Sequence, residues 1–200
     1  MNVDIADLSL RWKQAWGDCP PIGSDLRGSL RDTWVRFHSL PGSKRYADTE
    51  DEYAELLHRH QAVIAELIRD QDTDTGADLL VVAASWSGGP EPCPLEAEVS
   101  AAMPGACYWT SALTDDSDPS DPMWEHLWVA ATRLDDDHLA RLLRLVADDI
   151  AVDVIVTSAV MAWLYHPYNG GADVIAATAE QRDQLRDRHR EWLSRHPSGL

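Results

Sequence analysis

Trp163-Leu164-Tyr165-His166-Pro167-Tyr168-Asn169-Gly170-Gly171-Ala172-Asp173-Val174-Ile175 reads as two apolar runs joined by a turn. Asn169, Gly170 and Gly171 tolerate the positive φ that short hairpin loops need. The stretch therefore predicts an antiparallel hairpin with strands over 160–165 and 172–176. A hairpin this tight argues for antiparallel layer packing rather than a doubly wound parallel sheet. Asp173 falls inside the second strand, where a carboxylate needs a partner or a function.

Working outward, Thr33 to Leu40 alternates and is rich in aromatic and β-branched residues, which predicts a strand. Trp34, Arg36, His38 and Leu40 share one of its faces. Further strands are expected over 79–85, 107–113, 124–132 and 152–158. Helices are expected over 5–16, from Ser24 or Asp25 as cap to Leu30, from Asp135–137 onward, and from Thr49 to about Arg69. Thr49 with Glu52 is a capping-box pair. Tyr53, Leu56, Leu57, His60, Ile64, Leu67 and Ile68 form the apolar stripe of that long helix. Thr178 with Gln181 opens a terminal helix that packs through Leu185, Trp192 and Leu193. Strands and helices do not alternate strictly. The expected architecture is α+β: a mostly antiparallel sheet with helices packed on it, one domain over 1–200.

Composition narrows the function classes. The chain has 200 residues, 44% hydrophobic, and a formal net charge of −17. Phosphate neutralisation needs Lys and Arg, so nucleic acid and anionic membranes are not expected partners. A basic protein partner fits the charge, and so does simple solubility. Base is carried by Arg, with Lys13 and Lys44 the two lysines, a bias typical of GC-rich bacterial genomes. Cys19, Cys93 and Cys107 have no metal or redox spacing. The N-terminus lacks the basic and apolar regions of a signal peptide, and no run reaches membrane-spanning length. A cytoplasmic location is expected.

Chemistry-bearing motifs are sparse. Asp70, Asp72, Asp74 and Asp78 with Gly76 suggest a calcium loop, but Thr75 and Val81 stand where such a loop needs Gly and Glu. Asp115, Asp116, Asp118 and Asp121 specify no ligand geometry. His58 and His60, two apart on a helix, do not face each other; His60 suits a hydrogen-bonded core position and His58 the surface. There is no HExxH, GxSxG, P-loop or dinucleotide fingerprint. No cofactor and no metal are expected. Arg36, His38, Lys44 and Arg45 fall within ten residues, ending just before the capped helix. With that helix N-terminus, Lys44 and Arg45 could hold an anion; alternatively they pair with Asp48, Glu50 and Asp51. Trp86, beside Gly88-Gly89, is the candidate exposed aromatic anchor.

Two segments carry a resemblance. Trp34-Val35-Arg36-Phe37-His38-Ser39-Leu40-Pro41-Gly42-Ser43-Lys44-Arg45-Tyr46 resembles a motif in actinobacterial proteins of unknown function. His166-Pro167-Tyr168-Asn169-Gly170-Gly171-Ala172-Asp173-Val174-Ile175, followed by the Trp192-Leu193 helix, resembles the C-terminal signature of the domain-of-unknown-function 3885 family. Asn169 stands where that family commonly has an acidic residue, and Gly170 where it commonly has Arg. The resemblance covers the two ends and not the middle. It implies a bacterial α+β domain, similar in general character to the immunity proteins that neutralise toxins.

The leading expectation is a non-enzymatic, immunity-like module whose acidic face meets a basic protein. The alternative is a small-ligand binder or enzyme using Arg36, His38, His166 and Asp173 in a sheet-edge cleft, with Tyr168 beside them. Arg36 and Asp173 are both ionisable residues inside strands, and each needs an opposite charge. That predicts that the N-terminal strand and the C-terminal hairpin lie side by side.

Overall fold

The structure is a computed structural model that describes residues 3–70, 78–115, 117–118 and 122–194. Its helices are α1 (Ile5–Trp16), α2 (Gly23–Ser29), α3 (Glu50–Arg69), α4 (Ala97–Ala102), α5 (Asp137–Ala147) and α6 (Ala179–Arg188). Its strands are β1 (Trp34–His38), β2 (Asp78–Ser87), β3 (Cys107–Asp115), β4 (Met123–Arg133), β5 (Ile155–Ser158), β6 (Leu164–Tyr168) and β7 (Gly171–Ile175). The seven strands form one sheet in the order β1-β7-β6-β5-β2-β4-β3, and each neighbouring pair is antiparallel. The expected α+β architecture is the observed one.

Helices cover both faces. On one, Leu79, Val81 and Ala83 of β2 meet Val63, Ile64 and Leu67 of α3, Leu142, Leu143 and Val146 of α5, and Leu185 of α6. On the other, Leu80, Val82 and Ala84 meet Leu8 and Trp12 of α1 and Leu26 of α2. This explains why β2 reads as an unbroken apolar run: a strand buried on both faces has no polar side to show.

Several boundaries differ from the sequence reading. β6 runs through His166 and Pro167 to Tyr168, so the connection to β7 is only Asn169-Gly170, with Gly170 at φ 87°. A proline is tolerated inside β6 because the pairing of β5 with β6 stops at Tyr165. Beyond that point no ladder bond requires the missing N–H. β1 ends at His38, so Leu40 leaves the face of Arg36 and packs with Leu56 and Ala147. Neither Ser24 nor Asp25 caps α2; the preceding residue is Ile22, without a side-chain cap. Asp153, from the segment before β5, instead accepts the Ser24 N–H at 2.8 Å.

The Thr49 cap forms, accepting from the Glu52 N–H at 3.3 Å, but the Glu52 carboxylate reaches back to the Asp48 N–H at 2.7 Å rather than to Thr49. Thr178 and Gln181 cap α6 as expected, and Gln181 returns to the Ala177 N–H. The proposed calcium loop falls mostly on 71–77, outside the described residues, as do Asp116 and Asp121. No helix among the described residues is long and apolar enough to cross a membrane.

Candidate functional site

The sheet register builds the site. Arg36 of β1 lies opposite Asp173 of β7, and Asp173 lies opposite His166 of β6. Side chains alternate along a strand, so these three form one row on the α1–α2 face, next to the row of Trp34, Ile175 and Leu164. Arg36 and Asp173 pair in a two-pronged fork, Nε to Oδ1 at 2.7 Å and Nη2 to Oδ2 at 2.9 Å. Both are largely withdrawn from water, with side-chain exposures of 19% and 6%. The guanidinium also lies between two rings, 5.5 Å from the centre of Trp34 and 5.1 Å from that of Tyr168. Burial works against its charge, but the Asp173 bonds and Tyr168 outweigh burial and push its pKa up. Burial first, and Asp173 second, push the Tyr168 phenol well above its usual range, so its proton stays in place.

His166 is not part of an open cleft. It is buried, its Nδ1 donates to the Val154 carbonyl at 2.8 Å, and the α2 N-terminus sits on it. A Cβ added at Gly23 would lie 2.3 Å from His166 Nδ1. Neither atom has room to retreat, so Gly23→Ala is expected to cost about 1–3 kcal/mol, as overpacked cores do. Denaturant titration measures it; unchanged stability would show that α2 slides freely over His166. Asp173 is likewise buried beneath Arg36. The sequence reading of a cleft lined jointly by Arg36, His38, His166 and Asp173 is therefore corrected: the last two lie under its floor.

The cleft itself opens one row further along, where His38, Gly171 and Tyr168 reach the hairpin turn. It has a volume of about 230 Å³ and is lined by Arg36, His38, Ser43, Arg45, Tyr168, Asn169 and Gly170. Its shape depends on two glycines. A Cβ at Gly171 would come within 2.5 Å of the Phe37 carbonyl oxygen, and one at Gly170 within 3.2 Å of Arg45 Cα. The backbone around Arg45 can thus lie directly on the turn. Arg45 Nε donates to Asn169 Oδ1 at 2.7 Å, and Asn169 Nδ2 reaches the Tyr46 hydroxyl at 3.5 Å. A depression of about 290 Å³ shares His38 and Ser43 and continues towards Glu191 and Leu193.

His38 is kept neutral at pH 7. Burial lowers its pKa, and the charges of Arg36 and Arg59 lower it further, against a hydrogen bond to the Gly170 carbonyl. Nε2 has no hydrogen-bond partner among the described residues.

Lys44 leaves this group. It pairs with Asp48 at 2.8 Å and with Glu52, so it serves the start of α3. Glu50, offered above as a partner for it, pairs with Arg144 instead. Trp86 lies on β2, away from the cleft, and is 36% exposed.

His60 takes the core position expected of it, hydrogen-bonded to the Ser39 hydroxyl at 3.3 Å and to the Tyr165 hydroxyl. Burial depresses its pKa to about 4, so the ring is neutral. Ser43 and Asn169 were missed as lining residues. Their signal was positional: Pro41-Gly42-Ser43 is turn sequence, and Ser43 takes φ 59°, which aims the Arg45 segment back at the hairpin.

Among family models, the one described as Domain of unknown function (DUF3885) matches over residues 22–197. The match takes in the middle of the chain as well as the two ends that carry the resemblance. No curated protein and no solved structure matches the chain.

Proposed function

Since the chain belongs to the DUF3885 family, whose description names no activity, we propose its function from the cleft: a binding module that takes a small anionic ligand, a carboxylate or phosphate, between Arg36 and Arg45. One observation carries this reading. In a chain of net charge −17, two arginines line one depression at the sheet edge, and Asp173 holds one of them rigid from below. Arg36 spends one N–H each of Nε and Nη2 on Asp173, which leaves three N–H groups, two of them on Nη1, to offer. Arg45 spends Nε on Asn169 and keeps both terminal nitrogens. Planar guanidinium groups suit carboxylate and phosphate oxygens. The geometry favours binding over turnover: Tyr168 holds its proton firmly, and Ser43 and His38, which both line the cleft, are not hydrogen-bonded to each other.

Inorganic phosphate and citrate are the probes. At 10 mM, one of them is expected to raise the melting temperature by about 3 °C, the size of shift a millimolar site gives. Arg45→Ala should weaken binding at least tenfold while leaving the Arg36–Asp173 pair intact. Absence of any saturable shift, or a shift that Arg45→Ala leaves untouched, would overturn the reading.

A further inference from the structure

A second feature lies on the same face of the sheet, on β2 and β4. Glu125 of β4 is the direct neighbour of Trp86 of β2, two residues beyond the apolar pair Ala84–Leu127 and on the same face. Cross-strand neighbours of this kind have side chains in contact range. Glu125 is only 2% exposed, and its Oε1 has no hydrogen-bond partner among the described residues. The charges that reach it are negative: Asp153, from the segment before β5, and Asp25 of α2. The Trp86 indole N–H gives it some support. β3 offers only Ala112 opposite it. A buried carboxyl without a cation is costly. Burial, then Asp153 and Asp25, push its pKa up to about 8, so it is held mainly as the neutral acid at pH 7.

Trp86, beside this carboxyl on the neighbouring strand, is itself 36% exposed. Val152, beside Asp153, is 40% exposed. An exposed indole beside a buried carboxyl on which two further carboxylates and no cation act is complementary to a cation. Arginine fits best, since a planar guanidinium can stack on the indole and fork to a carboxylate. The net charge of −17 favours a basic protein as the source.

We propose that the niche formed by Trp86, Glu125, Asp25 and Asp153 is a docking point for an arginine side chain of a basic protein partner. The site is separate from the anion cleft. The incoming guanidinium supplies the charge that Glu125 lacks. Glu125 then ionises and gives its proton to solvent, so docking is coupled to release of one proton per site.

The test uses the full chain and a blocked tri-arginine peptide as probe, by calorimetry in two buffers of different ionisation enthalpy. Binding at pH 7 is expected to release close to one proton, and affinity should rise roughly twentyfold between pH 6.5 and 8.5. Glu125→Gln should abolish the proton release and flatten the pH profile. Trp86→Ala should weaken binding at least tenfold, whereas Arg45→Ala in the cleft should leave it unchanged. Peptide binding without proton release and indifferent to Glu125→Gln would reduce the contact to general surface charge and overturn the proposal. So would no binding at all. Equal binding of ethylammonium ion, which carries no guanidinium or peptide, would mark a small-amine site instead and overturn the partner assigned.

Discussion

Asp173→Ala is expected to destabilise the protein by about 3–5 kcal/mol, the usual cost of removing one member of a buried ion pair. The reason is the charge left behind. Arg36 stays ionised at any accessible pH, and its Nε and Nη2 donors would lose both carboxylate oxygens in a site withdrawn from water. The loss also reaches three strands, because Asp173 lies between Arg36 of β1 and His166 of β6. Arg36→Met combined with Asp173→Ala should cost less than the two single changes summed, since no unpaired charge remains. Urea titration of the four proteins at pH 7 measures the coupling. Additive effects would mean that the pair contributes nothing as a pair.

Glu125→Gln should have the opposite sign at neutral pH. The Glu125 carboxyl titrates at about 8 in the folded protein against 4.5 for a free glutamate. Between those values the folded state binds a proton that the unfolded state has released. Stability from this residue is therefore greatest below about pH 4.5 and is lost as pH rises towards 8, at up to ~1.4 kcal/mol per pH unit. Gln keeps the shape and removes the titration. The variant should be the more stable protein at pH 8 by a few kcal/mol, and the difference should shrink towards pH 5. Taking the difference between variant and parent cancels carboxylates whose pKa is lowered by their partners, such as Glu50 beside Arg144 and Glu52 beside Lys44. Curves for the two proteins that stay parallel from pH 5 to 8 would show Glu125 already ionised in the fold.

Much of this protein was legible in the chain because local physics sets it. The turn residues Asn169 and Gly170 impose the hairpin, Thr49 and Thr178 cap their helices, and the stripe from Tyr53 to Ile68 specifies an amphipathic α3. The Arg36–Asp173 pair was legible for a different reason: a charge inside an apolar strand must find its opposite, and few candidates existed. That pair also placed the N-terminal strand against the hairpin; what local pattern cannot encode is the rest of the strand order and what packs around it. Placing β1 beside β7 decides that His38 and Arg45 share a cleft, while α2 resting on His166 removes that residue from it. Pairing β2 with β4 decides that Glu125, one acidic residue in an acidic sequence, sits beside Trp86 and within reach of the charges of Asp25 and Asp153. The sequence alone determined most of the elements, α4 excepted, and the one obligatory ion pair, because spacing, capping and charge burial act over a few residues. Tertiary structure alone decided the cleft and the niche, because each is assembled from segments whose proximity depends on strand order and not on spacing along the chain.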